Sequence, residues 1–317
     1  MNRAFVFPGQ GSQTIGMGKE LAEAFSTARY IFEEVDETLK QNLSRIIFYG
    51  PDEQLRLTTN AQPALMAVSI AIVRVLQREG NISLIDLMSS VAGHSLGEYS
   101  ALATTEALTL ADTARLLKLR GEAMQIAVPV GEGAMAALIG ATIEKTEDII
   151  TKTMESKEEG EVCELANDNA PGQVVISGST SAIKRAAKIG EKCGVKRSII
   201  LPVSAPFHCS LMQPAAEAMA EALFETTILP PTIPIIANFT AKETRNPETI
   251  RNNLINQVTG RVRWRETILR IKQIGIDTLV EAGSGKILGG LTKRIDRELC
   301  SISIQNPKDI DSFLHSL

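Results

Sequence analysis

Gly93-His94-Ser95-Leu96-Gly97 sets a serine between two glycines, after a short apolar stretch and before a helix-competent one. The G-x-S-x-G spacing is that of a nucleophile elbow, a sharp strand-to-helix turn that lifts a serine hydroxyl clear of the backbone. Such a turn leaves no room for a Cβ on either side, which is why glycines flank it. The pattern predicts a strand over residues 88–92 and a helix over 96–107, and makes Ser95 the candidate nucleophile.

A serine nucleophile needs a base, and the chain offers three histidines: His94, His208 and His315. His94 adjoins Ser95, and at an elbow neighbouring side chains diverge. His315 falls at the end of the sequence, where fraying is expected. His208 remains, in Pro202-Val203-Ser204-Ala205-Pro206-Phe207-His208, a loop stiffened by two prolines after an apolar run. A lone histidine is more often structural. Elimination and the rigid loop favour His208, because a general base must be held within hydrogen-bond reach of its proton.

The chain has 317 residues, 44% of them hydrophobic, and a formal net charge of −4. It is long enough for one large or two modest domains. Its balance is that of a globular protein, not of a disordered chain or a nucleic-acid binder. The N-terminal apolar run is too short for a signal peptide, and no stretch is expected to reach the ~18 apolar residues of a membrane span. Cys163, Cys193, Cys209 and Cys300 lie far apart without C-x-x-C spacing. That argues against a metal site or a disulfide framework and for a reducing cytoplasm. Cys209 adjoins His208, but adjacent side chains rarely face each other, so packing is its expected role.

Residues 4–7 read as a strand ending in the glycine-rich turn Pro8-Gly9-Gln10-Gly11-Ser12-Gln13. Thr14 stands where a dinucleotide fingerprint needs its third glycine, so that motif is rejected. Helical patterns cover 19–38, 62–79 and 109–124, the second with Leu65, Val68, Ile72, Val75 and Leu76 on one face. From residue 133 the expected order is strand 134–139, helix 144–154, strands 162–166 and 173–177 around a turn at 167–172, helix 181–192 and strand 196–201. This β-α-β-β-α-β order is that of a ferredoxin-like unit inserted into a larger α/β domain. Ser95 and His208 then flank the insertion, and a cleft between the two parts is the expected site. A helix to about residue 223 and a strand at 233–238 follow. Gly283-Ser284-Gly285-Lys286 looks like a phosphate loop, but Val280 and Ile287 occupy positions that a glycine and a Ser or Thr would need. It is read as a plain strand–helix turn.

In the helix around residues 110–124, Ala114, Leu117, Gly121 and Met124 form an apolar stripe that Arg120 borders. Such an arginine either snorkels or pairs internally, or it awaits a ligand carboxylate that its fork can bind in bidentate fashion.

The motifs together resemble those of a known family, the malonyl-CoA:acyl-carrier-protein transacylases. The resemblance runs nearly end to end, through Phe7-Pro8-Gly9-Gln10-Gly11-Ser12-Gln13, Asn60-Ala61-Gln62-Pro63-Ala64, Gly93-His94-Ser95-Leu96-Gly97-Glu98-Tyr99, Arg120 and residues 167–178, 204–208 and 283–288. Each is weak alone; the set in this order is specific. It implies a large α/β-hydrolase-like domain with a parallel sheet, residues 1–128 and 202–317, and an inserted small ferredoxin-like (β-α-β-β-α-β) domain, residues 129–201.

The resemblance also implies roles. Ser95 would be the nucleophile and His208 its base, with the backbone carbonyl of Gln257 in place of an acidic third member. The backbone N–H groups of Gln10 and Leu96 would form the oxyanion hole. Arg120 would pair with the malonyl carboxylate, and Asn167, Asn169 and Gln173 would lie on a substrate-side turn. Phe207, bulky and just before the histidine, goes with malonyl over methylmalonyl in related domains. Ser284 departs from a proline frequent in the family.

The implied reaction is ping-pong transfer of malonyl from malonyl-CoA to the phosphopantetheine thiol of acyl carrier protein, supplying fatty-acid synthesis. Beyond these substrates no cofactor is expected, nor a nucleic-acid or membrane partner, and the expected state is a monomer. Lys184, Arg185, Lys188, Lys192, Lys196 and Arg197, opposed only by Glu191, offer a basic face for an acidic carrier. Alternatives are a serine esterase or thioesterase using water, an acyltransferase of a polyketide-type pathway, and a non-catalytic subunit that docks the carrier.

Overall fold

The protein is described by a computed structural model covering residues 2–156 and 158–317. Among these residues ten strands form two sheets. Along the chain they are β1 (Arg3–Phe7), β2 (Ser90–Gly93), β3 (Gly133–Ile139), β4 (Cys163–Ala170), β5 (Gln173–Ser179), β6 (Arg197–Ile200), β7 (Ile235–Ile236), β8 (Glu243–Thr244), β9 (Thr278–Ala282) and β10 (Cys300–Ile304). The main sheet runs β10-β9-β1-β2-β7-β8, parallel except at the β7–β8 edge. β1, β2 and β9 are buried along their whole length. That burial explains why Ala4-Phe5-Val6-Phe7 is apolar without alternation, since helices cover both faces of a parallel sheet.

The second sheet is wholly antiparallel, in the order β4-β5-β3-β6. With helices Ile143–Met154 and Thr180–Lys192 it gives the β-α-β-β-α-β arrangement expected from the pattern. Both helices lay Ile149, Ile183 and Ala186 onto Leu138 and Ile176, an apolar cluster separate from that of the main sheet.

Several elements differ from the sequence expectation. The helical pattern over 19–38 is two helices, Lys19–Ala24 and Ser26–Leu39, broken at an extended Phe25. Leu21, Ala28, Phe32 and Val35 join one core, so the hydrophobic spacing carries through the break unmarked. The turn expected at 167–172 shrinks to its last residues, because β4 continues to Ala170 through two bulges. The bulges let Asp168 meet Arg265 and the Val262 carbonyl of the main domain. The strand at 233–238 is only Ile235–Ile236, because Asn238 leaves the ladder for another task described below.

Helix Thr58–Gly80 is longer and more deeply placed than expected. It is long and apolar enough to cross a membrane by composition, which corrects the expectation that no stretch reaches that length. Within the protein, 89% of its most apolar window is buried. It is the central core helix, apolar on nearly all sides and not along one face. Pro63 lies in its second turn, and Thr58, in the first, donates to Gln10 Oε1 on the turn after β1.

The phosphate-loop look-alike is occupied from within. Glu281 accepts from the Leu288 and Gly289 N–H groups at 3.0 and 2.9 Å, filling the helix N-terminus that an anion would use. Ser284 donates to the Ser12 carbonyl at 2.7 Å, so this turn buttresses the turn after β1.

Candidate active site

Gly93 ends β2 and Gly97 opens helix Gly97–Thr104, with Ser95 between them at φ 53. A Cβ on Gly93 would lie 1.9 Å from the Gly97 carbonyl, and one on Gly97 would lie 2.2 Å from the Phe7 carbonyl oxygen. Neither position admits a side chain, as the motif requires. The strained serine is braced by Asn238, just past β7. Its Oδ1 accepts from the Ser95 N–H at 2.7 Å, and its Nδ2 donates to the Gly93 carbonyl at 2.6 Å.

His208 reaches Ser95 from the loop after β6. Its Nε2 lies 2.8 Å from Ser95 Oγ, and its Nδ1 lies 2.8 Å from the Gln257 carbonyl oxygen. A carbonyl only accepts, so Nδ1 carries the proton and Nε2 presents its lone pair to the serine hydroxyl. Burial first, and the Arg120 charge second, push the His208 pKa down to about 3. The imidazole is therefore neutral at any ordinary pH. His94 turns away as expected, its Nε2 on Asn169 Oδ1 at 2.8 Å and its ring 5.5 Å from Trp264. His315 is exposed at a helix end, its Nδ1 on the Asp311 carbonyl. Cys209 packs: its thiol donates to the Pro206 carbonyl, and burial pushes its pKa up to about 11.

Arg120 is 2% exposed. It neither snorkels nor forms an ion pair among the described residues. Its Nη2 donates to Ser95 Oγ at 3.1 Å and to Gln257 Oε1 at 2.9 Å, and its Nη1 donates to Gln62 Oε1 at 2.7 Å. Nε has no partner among the described residues. Its guanidinium carbon lies 5.8 Å from the centre of the Tyr99 ring. A buried guanidinium whose direct hydrogen-bond partners are all neutral is expensive unless an anion joins it.

Gln257 binds the site together with both ends of its amide. Nε2 donates to the Ser95 carbonyl at 3.0 Å and to Glu98 Oε2 at 2.6 Å, while Oε1 receives Arg120. Glu98 is 2% exposed, and burial pushes its pKa up to about 7 against the opposing pull of Gln257, Asn238 and Arg120.

Ser95, His208 and Arg120 open onto a cleft of about 310 Å³. Gln10, Ser95 and Leu96 line it from the turns after β1 and β2, Arg120 from helix Leu110–Ile126, Met135, Asn167 and Val175 from the insert, and Phe207 and His208 from the loop between. Leu96 precedes the first turn of helix Gly97–Thr104, where N–H groups lack an intrahelical acceptor. Gln10 lies on the turn after β1. Asn167 lines the cleft and Asn169 holds His94, but Gln173 does not join them: its Oε1 accepts from Arg294 at 2.8 Å, away from the cleft. The basic face also changes in detail. Arg185 pairs with Glu161 at 2.5 Å, whereas Lys184, Lys188, Lys192, Lys196 and Arg197 stay exposed.

Sequence reasoning gave no role to Asn238, Glu98, Gln62 or Thr58, or to the side chain of Gln257. Glu98 and Gln62 left a signal, as polar residues within otherwise apolar helical runs. Asn238 and Thr58 left none.

Comparison with known proteins adds a family. The acyl transferase domain model matches residues 4–288. The malonyl CoA-acyl carrier protein transacylase of Bacillus subtilis (strain 168) is 43% identical over 314 residues, covering 99% of this chain and 96% of the relative. The crystal structure of acyl-carrier-protein-S-malonyltransferase from Bartonella henselae superposes with a TM-score of 0.96 at 51% identity, covering 100% of this chain and 99% of that one. A malonyl-transacylase solved in complex with its type II PKS acyl-carrier protein superposes with a TM-score of 0.95 at 39% identity, covering 100% of both chains.

Proposed function

Because this chain belongs to the acyl transferase domain family, among its malonyl-CoA:acyl-carrier-protein transacylases, we propose that Ser95, His208 and Arg120 carry its malonyl transfer. The chain is an acyltransferase that moves malonyl from malonyl-CoA to acyl carrier protein. The observation that carries the residue roles is the Arg120 guanidinium, buried, without a carboxylate partner among the described residues, and 3.1 Å from the Ser95 hydroxyl.

In this reading the malonyl carboxylate pairs with Arg120 and the thioester carbonyl lies over Ser95. Ser95 Oγ attacks that carbon as its proton passes to His208 Nε2. The tetrahedral oxyanion is held by the Gln10 and Leu96 N–H groups, donors typically worth about 10²–10³ in rate each. The intermediate collapses, the C–S bond breaks, and the CoA sulfur leaves with the proton from His208. A malonyl-serine ester remains. The phosphopantetheine thiol then runs the same steps in reverse. A backbone carbonyl is a weaker support for an imidazolium than a carboxylate. Thiols, with an ordinary pKa of about 8.5, ask less of the acid than amines or alcohols do. The base is thus suited to exchange between thiols.

Phe207 beside the base favours the unbranched malonyl group. The thioester and the carrier thiol arrive as substrates, so the chemistry asks for no cofactor or metal. One chain supplies every group named, which supports a monomer as the working unit. Four free cysteines suit a reducing cytoplasm, and supply of fatty-acid synthesis is the pathway we assign. The exposed Lys184, Lys188 and Lys192 suit an acidic carrier. Reversing Lys184 and Lys188 to Glu should weaken the carrier half-reaction and leave acylation by malonyl-CoA intact; equal loss in both would exclude docking there.

Intact mass after brief mixing with malonyl-CoA, then with carrier, tests the whole scheme. The expected result is a malonyl adduct on Ser95 that persists until carrier arrives. Loss at the same rate in water alone would mean a hydrolase.

A further inference from the structure

Four side chains form an unbroken hydrogen-bond chain from Arg120 to the turn that bears the Gln10 amide. Arg120 Nη1 donates to Gln62 Oε1 at 2.7 Å, Gln62 Nε2 to Thr58 Oγ1 at 3.0 Å, and Thr58 Oγ1 to Gln10 Oε1 at 2.9 Å. Its polarity is fixed from one end. A guanidinium only donates, so Gln62 must turn its oxygen to Arg120 and its amide nitrogen to Thr58. The single Thr58 proton is then free for Gln10. Arg120, Gln62 and Thr58 are each no more than 2% exposed, so water does not compete for these bonds.

The fold brings the chain together by a close helix crossing. Gly121, next to Arg120, lies where a Cβ would be 2.7 Å from the Thr58 carbonyl oxygen and from Thr59 Cα. Only glycine lets helix Leu110–Ile126 approach the first turn of helix Thr58–Gly80 so closely. At the other end, the Gly9–Gln10 peptide carries the Gln10 N–H, on a turn whose next amide, Gly11 N–H, donates to Gln13 Oε1 at 2.7 Å. A glycine on one side leaves a peptide plane less determined. The Thr58 bond ties the Gln10 side chain of this turn to helix Thr58–Gly80.

We infer that Thr58 and Gln62 are positioning residues that couple the carboxylate seat at Arg120 to the oxyanion donor at Gln10. An acyl group bearing a carboxylate engages Arg120, and the relay holds the Gln10 N–H where the oxyanion forms. The hydrogen bonds of the relay form without a ligand; an acyl group without a carboxylate leaves the Arg120 end with no anion to fix it. The inference rests on the acylation scheme above and adds a second source of acyl selectivity, exerted on rate rather than on binding.

The test is Thr58→Val, which keeps the shape and deletes the hydroxyl, with Thr58→Ser as the conservative rescue. Single-turnover acylation of Ser95 by malonyl-CoA and by acetyl-CoA is followed by intact mass over a range of thioester concentrations. Thr58→Val should slow malonyl acylation at saturation about tenfold or more, with half-saturation moved less than twofold, while Thr58→Ser restores it. Acetyl acylation should change less than twofold, and adding Thr58→Val to Arg120→Ala should change the residual rate less than twofold. Equal slowing with both thioesters, an undiminished effect in the Arg120→Ala background, or no slowing at all would overturn the coupling. If Thr58→Val does not fold, Thr58→Ala removes the same hydroxyl with less bulk and is held to the same outcomes. Absence of any adduct in the unaltered protein would instead overturn the scheme beneath it.

Discussion

Arg120 donates to the Ser95 hydroxyl across 3.1 Å while meeting no carboxylate of its own chain among the described residues. In the proposed scheme the group that reads the substrate and the group that attacks it therefore share a hydrogen bond.

Removing the guanidinium should separate selectivity from chemistry. Arg120→Ala is expected to slow acylation by malonyl-CoA by about a hundredfold or more, since a few kcal/mol attends a buried charge that loses its partner. Acetyl-CoA, which offers no carboxylate, should gain relative to malonyl-CoA. The ratio of the two initial acylation rates, read by intact mass, decides; an unchanged ratio would remove Arg120 from recognition.

The pH profile should lack the usual histidine limb. In the proposed scheme His208 must be neutral to accept the serine proton, and burial pushes its pKa down to about 3 from 6.5. Inactivation of Ser95 by a small neutral sulfonyl fluoride should then stay level from about pH 7 down to about pH 5. Arg120→Ala removes the second cause of the shift, so its profile should bend at a higher pH. A limb near pH 6.5 in the unaltered protein would contradict the burial argument.

Glu98 makes a stability prediction of definite sign. Its folded pKa, about 7, lies above its ordinary 4.5, so folding favours the protonated form. The stabilisation is full below pH 4.5 and is lost as pH rises through 7. His208 acts oppositely, its contribution full above pH 6.5 and lost towards pH 3. Glu98→Gln abolishes the first of these. Relative to the unaltered protein it should gain stability between pH 5 and pH 7.5, by roughly 3 kcal/mol at most. Urea midpoints at the two pH values measure this, and a gain towards acid pH would be the wrong sign.

Asn238→Ala tests the brace. It leaves the Ser95 N–H and the Gly93 carbonyl without their partner. Each unsatisfied buried group costs about 1–3 kcal/mol, so the melting temperature should fall by several degrees. The elbow should relax as well, and acylation should slow more than stability alone explains. Full acylation at a temperature where the variant is folded would show that the glycines suffice.

Gly121→Ala tests the helix crossing. Backbone atoms of Thr58 and Thr59 stand in the way of the new Cβ and cannot step aside. Overpacking of this kind costs about 1–3 kcal/mol, measured by urea titration. A variant as stable as the parent would mean that the crossing is loose.

How far the sequence reached depended on the range of each interaction. The elbow was legible because its conditions are local: two glycines, a serine, a strand before and a helix after, all within a few residues of Ser95. The insert was legible because the order of its periodicities names its topology. The break at Phe25 was not, since apolar spacing records which side is buried and not whether the axis continues. Helix Thr58–Gly80 was read as one-faced because its buried small and polar positions weigh little in a hydrophobic stripe.

By itself, then, the sequence determined the chemistry available: a serine lifted on a turn, one histidine in a stiff loop, and an arginine beside an apolar stripe. Only the tertiary structure decided how these act together. Gln257 serves Ser95 from 162 positions away, and Asn238 from 143. An asparagine or glutamine carries no periodicity to mark it. Its role is set by which backbone groups and charges the packed sheets leave unpaired within hydrogen-bond reach, and that is known only once the core has closed.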